Sequence, residues 1–216
     1  MKKNLLFSLL FILGFTCCAP QNVKFETDVF ALEINSEGKI QGLTDKKSGT
    51  NYFAQGQESY LLQLRVDTTF YQPQQFEWIE KDKSFKLVYP DCKASVNVNI
   101  KQDSKYLSFE IADFQSESPV DVAVWGPYAT SIKQTIGECV GLVRDSAFAI
   151  GIQALNAKTL GGYPSDESDV EPQFDIFATT SLVDISDDVK VLYRGQTATH
   201  KDFGSVLQAY CRDRSK

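Results

Sequence analysis

Strict alternation of apolar and polar residues is the feature that most limits what this chain can become. Ala94, Val96, Val98 and Ile100 are interleaved with Lys93, Ser95, Asn97 and Asn99. Successive side chains of a strand point to opposite faces, so this run must have one buried and one wet face. A helix made from the same residues would scatter its apolar groups around the axis. The same period recurs in Phe30, Leu32 and Ile34, in Leu62, Leu64 and Val66, and in Phe85, Leu87 and Tyr89. It continues in Leu107, Phe109 and Ile111 and in Val120, Val122 and Val124, while Phe76 and Trp78 mark one more strand.

Ile40 and Leu43 begin a returning strand, and later strands are expected at 140–143, 148–153, 174–177 and 189–193. Turn chemistry separates these runs. Asn35-Ser36-Glu37-Gly38, Asp45-Lys46-Lys47-Ser48-Gly49 and Pro90-Asp91 each combine residues that leave the extended conformation at low cost. Such signals at about eight- to twelve-residue intervals, with no helical stretch between them, predict an all-β antiparallel sandwich. Only the end changes period. Asp202 is expected to cap a short C-terminal helix that starts at Phe203 and carries Val206, Leu207 and Tyr210 on one stripe.

The first residues are read as targeting rather than as fold. Lys2 and Lys3 precede an apolar run over 5–15, broken only by Ser8 and Gly14. That run is shorter than the roughly 20 residues a membrane-spanning helix needs, and suits a signal-peptide core. Cys17 and Cys18 follow directly, with Gly14 three positions before Cys17. The arrangement resembles a bacterial lipobox, which implies acylation at Cys17 or Cys18, a signal peptide over 1–17 and a sandwich domain over 18–216. Acyl chains on that cysteine would attach the protein to the outer membrane. Processing that removes Lys2 and Lys3 takes the formal net charge from −6 to −8.

An acidic chain without a basic stripe is a poor tracker of phosphates, so nucleic acid is excluded as a general partner. Cys92, Cys139 and Cys211 are far apart and odd in number, and read as separate thiols rather than as a disulfide framework.

Two longer stretches resemble a known domain. One runs Phe30-Ala31-Leu32-Glu33-Ile34-Asn35-Ser36-Glu37-Gly38-Lys39-Ile40 and then Gly42-Leu43-Thr44-Asp45-Lys46-Lys47-Ser48-Gly49. It is similar to the opening of the galactose mutarotase-like supersandwich found at the N-terminus of many large glycoside hydrolases. The other, from Trp125-Gly126-Pro127 through Ile136-Gly137-Glu138 to Ile150-Gly151-Ile152-Gln153-Ala154-Leu155-Asn156, resembles such domains in exported proteins of Bacteroidota. The resemblance implies a carbohydrate-associated module beside a catalytic domain. The charged ending Arg212-Asp213-Arg214-Ser215-Lys216 reads as the start of a connector to that domain, in the same or an adjacent reading frame.

Catalytic signals are few. Mutarotases of that family use histidines with a glutamate, and His200 is the only histidine here. Glycoside hydrolysis needs two carboxylates about 5 to 9 Å apart. Glu138 is the one carboxylate set among small and apolar residues, where burial would raise its pKa toward that of an acid catalyst. Asp166, Glu167, Asp169 and Glu171 offer oxygen ligands that suit Ca²⁺, without the residue order of a loop site. The expected binding handle is aromatic. Trp125, Tyr128 and Tyr163 stand in Gly- and Pro-bearing stretches, read as loops at strand ends, where flat rings stack on sugar faces. The expected function is therefore glycan association without catalysis, as a module accessory to glycan degradation or, alternatively, as a self-contained glycan-binding or structural surface lipoprotein; a glycosidase in its own right would rest on Glu138 alone.

Overall fold

A computed structural model describes residues 22–137, 141–156, 159–161 and 197–212. Its strands are β1 (Val23–Glu26), β2 (Phe30–Ile34), β3 (Ile40–Asp45), β4 (Leu62–Val66), β5 (Thr69–Tyr71) and β6 (Gln75–Ile79). There follow β7 (Ser84–Tyr89), β8 (Ala94–Gln102), β9 (Leu107–Ser116), β10 (Val122–Thr130) and β11 (Thr135–Ile136). The series ends with β12 (Leu142–Arg144), β13 (Ala149–Gly151), β14 (Thr159–Gly161), β15 (Thr197–Lys201) and β16 (Gly204–Arg212).

All pairings among these strands are antiparallel. One sheet runs β14-β16-β10-β4-β5, with β15 also on β16; another runs β6-β7-β8-β9; β1-β2-β3 and β11-β12-β13 form two smaller ones.

The hairpins follow from their turns. Asn35 Oδ1 accepts the Glu37 and Lys39 amides, and Gly38 adopts φ 75°. β8 behaves as its alternation demands: Ala94, Val96, Val98 and Ile100 are buried, while Ser95, Asn97 and Asn99 lie on the other face. Its buried face joins Phe85, Leu87 and Tyr89 of β7 in a core shared by all four sheets.

Aromatic contacts and one hydroxyl bind the layers together. Phe25 of β1 meets Trp78 of β6 edge-on at 5.2 Å and lies 6.4 Å from Phe109 of β9. The Tyr89 hydroxyl, from the β6–β9 sheet, donates to the Leu62 carbonyl of β4 at 2.9 Å. Phe109 in turn lies 6.1 Å from Trp125 of β10. The fold is an all-β antiparallel sandwich.

The C-terminal helix expected from Phe203 is not formed: that segment is strand β16. It lies between β10 on one side and β15 and β14 on the other, and every residue from Gly204 to Tyr210 is buried. A strand covered on both faces has no wet positions to mark its period, so Val206, Leu207 and Tyr210 imitate a helical stripe. Gly204 is required at its start. Its φ is 156°, and a Cβ there would stand 2.0 Å from the Thr130 carbonyl oxygen. Cys92 is buried and Cys211 half-buried, both as free thiols. The expected strands at 174–177 and 189–193, and Cys139, lie outside the described residues.

Candidate binding cavity on the wall of strand β10

Gly126 and Pro127 interrupt β10 without ending it. Trp125 pairs with Ala209 and Tyr128 with Leu207, so two residues of β10 oppose the single residue Gln208 of β16. That is a β-bulge, a device that redirects side chains. Positions three apart in a regular strand face opposite ways. Ala209 and Leu207, two apart, share a face, and the bulge therefore brings Trp125 and Tyr128 onto that same face.

Gly126 makes this possible: it adopts φ 97°, and a Cβ would approach the Tyr128 amide nitrogen to 2.8 Å and the Leu207 carbonyl oxygen to 2.9 Å. The Gly126–Pro127 peptide is cis. The expectation that Trp125 and Tyr128 stand in a loop at a strand end is corrected here, because both belong to the body of β10.

The redirected wall borders a cavity of about 210 Å³. Trp125, Tyr128, Leu207 and Ala209 form one side, Phe30, Leu32 and Leu43 of β2 and β3 another, and Phe109 of β9 a third. Residues Ile150 to Asn156 complete the rim. Trp125 is only 8% exposed, so it is part of the wall rather than a free platform. Tyr128 is half-buried, its hydroxyl donates to the Leu61 carbonyl at 2.7 Å, and burial pushes its phenol well above the ordinary range.

Two further hydroxyls on the wall are also engaged. Thr130 Oγ1 pairs with Ser205 Oγ at 2.7 Å, and Thr159 Oγ1 with Asn156 Oδ1 at 3.3 Å. Among the described residues, no charged side chain lines the cavity. Its chemistry is that of a mostly apolar, concave binding site, the usual character of a small-ligand pocket.

Of the residues singled out in the sequence, the structure brings Trp125 and Tyr128 together. Tyr163, Glu138, Asp166, Glu167, Asp169, Glu171, Cys17 and Cys18 lie outside the described residues. Among the described residues, no group of three or more His, Cys, Asp and Glu is placed to hold a metal ion. His200 is exposed in β15, opposite Ser205, and stands in a strand rather than beside a helix. Sequence reasoning missed Phe30, Leu32 and Phe109 as walls, because their alternation marked them only as core. The glycine and proline inside an apolar run were the readable sign of the bulge. No family model, curated protein or solved structure matches this chain.

Proposed function

We propose that this chain is a non-catalytic, carbohydrate-associated β-sandwich module of an exported lipoprotein, accessory to glycan degradation and held at the outer membrane through Cys17 or Cys18. The observation that carries the binding reading is the bulged wall, which sets Trp125 and Tyr128 side by side on a cavity. Aromatic rings at concave sites are the common anchors for sugar faces, and a dedicated glycine and bulge mark this position as more than core filling. Among the described residues the lining holds neither Asp nor Glu, which favours binding over hydrolysis.

The test is a glycan array probed with the mature chain and with Tyr128→Ala, thermal melts being recorded beside it. Weak glycan binding, near millimolar, amounts to about −4 kcal/mol, so loss of one anchor should erase the signal. Binding that persists in a folded Tyr128→Ala variant would place the site elsewhere, and no binding to any glycan would remove the reading.

A further inference from the structure

We propose that the ligand enters this cavity with an uncharged aryl ring, carried as a substituent on the sugar, rather than with the bare sugar ring; this rests on the cavity being the carbohydrate site proposed above. Three observations point to it. The walls are mostly apolar, from Leu32, Phe109, Trp125 and Leu207 among others, with no charged side chain among the described residues. Three of the hydroxyls on the wall are committed to protein partners, Tyr128 to Leu61, Thr130 to Ser205 and Thr159 to Asn156. A bare sugar pushed inside would leave several of its own hydroxyls without partners, which is costly in such surroundings. The volume of about 210 Å³ also exceeds the roughly 150 Å³ that suffices for benzene in an apolar protein cavity.

Ring geometry agrees with this. Phe109 and Trp125 lie 6.1 Å apart at 33°, within the range over which aromatic rings attract. A third ring seated against them extends that cluster. The sugar would then rest outside, at the rim to which the exposed residues Gln153 and Asn156 belong.

Paired phenyl and methyl glycosides of several sugars, together with benzyl alcohol, are titrated into the mature chain, read by tryptophan fluorescence and by thermal shift. The expected result is binding of phenyl glycosides about tenfold or more tighter than of their methyl partners, with benzyl alcohol as a competitor. Ala209→Leu, from the buried wall, and Ala154→Phe, from the rim, should each remove that advantage in protein that still melts cooperatively.

Equal binding of methyl and phenyl glycosides overturns the inference while leaving the carbohydrate reading intact. Binding of benzyl alcohol without any glycoside supports the aryl seat and removes the carbohydrate reading. A phenyl advantage that survives in both folded variants, or no binding by any probe, overturns the inference.

Discussion

Asp45 is 4% exposed and still holds its charge, because the turn it begins is folded around its carboxylate. Ser48 Oγ donates to it at 2.6 Å, and the Lys47 and Ser48 amides donate at 3.1 and 3.0 Å. These bonds, the Ser48 hydroxyl foremost, hold its pKa below the ordinary value. Asp145 does the same at the β12–β13 turn, where the Phe148 and Ala147 amides are the main cause. A lowered folded-state pKa adds stability above the unfolded value of about 3.9 and loses it as pH falls through the folded one. Asp45→Asn should therefore melt below wild type at pH 7, and the gap should close as pH is taken from 4 toward 2, by about the end of that range. A gap independent of pH would show that the charge is not what orders the turn.

Tyr89 contributes differently, through one buried hydroxyl that crosses between sheets to the Leu62 carbonyl. Tyr89→Phe should cost about 1 kcal/mol in denaturant unfolding with an unchanged m-value.

Two glycines at positive φ with close backbone neighbours act on whole strands. Gly204→Ala would drive a Cβ into the Thr130 carbonyl at the entry to β16, and Gly126→Ala would press on the bulge itself. Each should destabilise by about 2 kcal/mol or more, and a Gly126→Ala protein that still folds should lose ligand affinity as Tyr128 turns away. An affinity unchanged in folded Gly126→Ala would separate the bulge from the site.

β16 is also where sequence and structure part. β8 was legible because one of its faces is wet, so alternation survives in its composition. β16 is bonded on both edges and buried on both faces, and in that setting neither polarity nor period distinguishes strand from helix. Trp125 and Tyr128 were legible as a pair by residue type. Their shared face was not, because spacing by three puts strand residues on opposite sides unless a bulge intervenes. Amide exchange separates the two forms of the C-terminal segment: amides of residues 206–210 should exchange as slowly as those of β8, whereas a terminal helix would fray from its end.

At the scale of the molecule, four sheets share one core, with Phe25, Phe85, Phe109 and Trp125 linking three of them. The wide sheet carries a second buried cluster of Val122, Val124 and Tyr210, in which Val124 and Tyr210 are register partners on the face away from Trp125. Such a body suits a rigid module that presents this cavity, and the proposed lipid anchor would keep it at a membrane. Labelled palmitate should enter the native protein and be lost only when both Cys17 and Cys18 are replaced by Ser; an unlabelled wild type would contradict the anchor.

The central claim is that the ligand meets this protein at the cavity beside the β10 bulge. Two-dimensional amide and indole spectra of the isotope-labelled mature chain, recorded while a bound glycan or phenyl glycoside is titrated in, test it most directly. The predicted result is that shifts concentrate at the Trp125 indole, Tyr128, Phe109 and residues 150–156, with the outward positions Ser95, Asn97 and Asn99 of β8 unmoved. Shifts confined to that outward face of β8, or to any surface away from the bulge, would contradict the account.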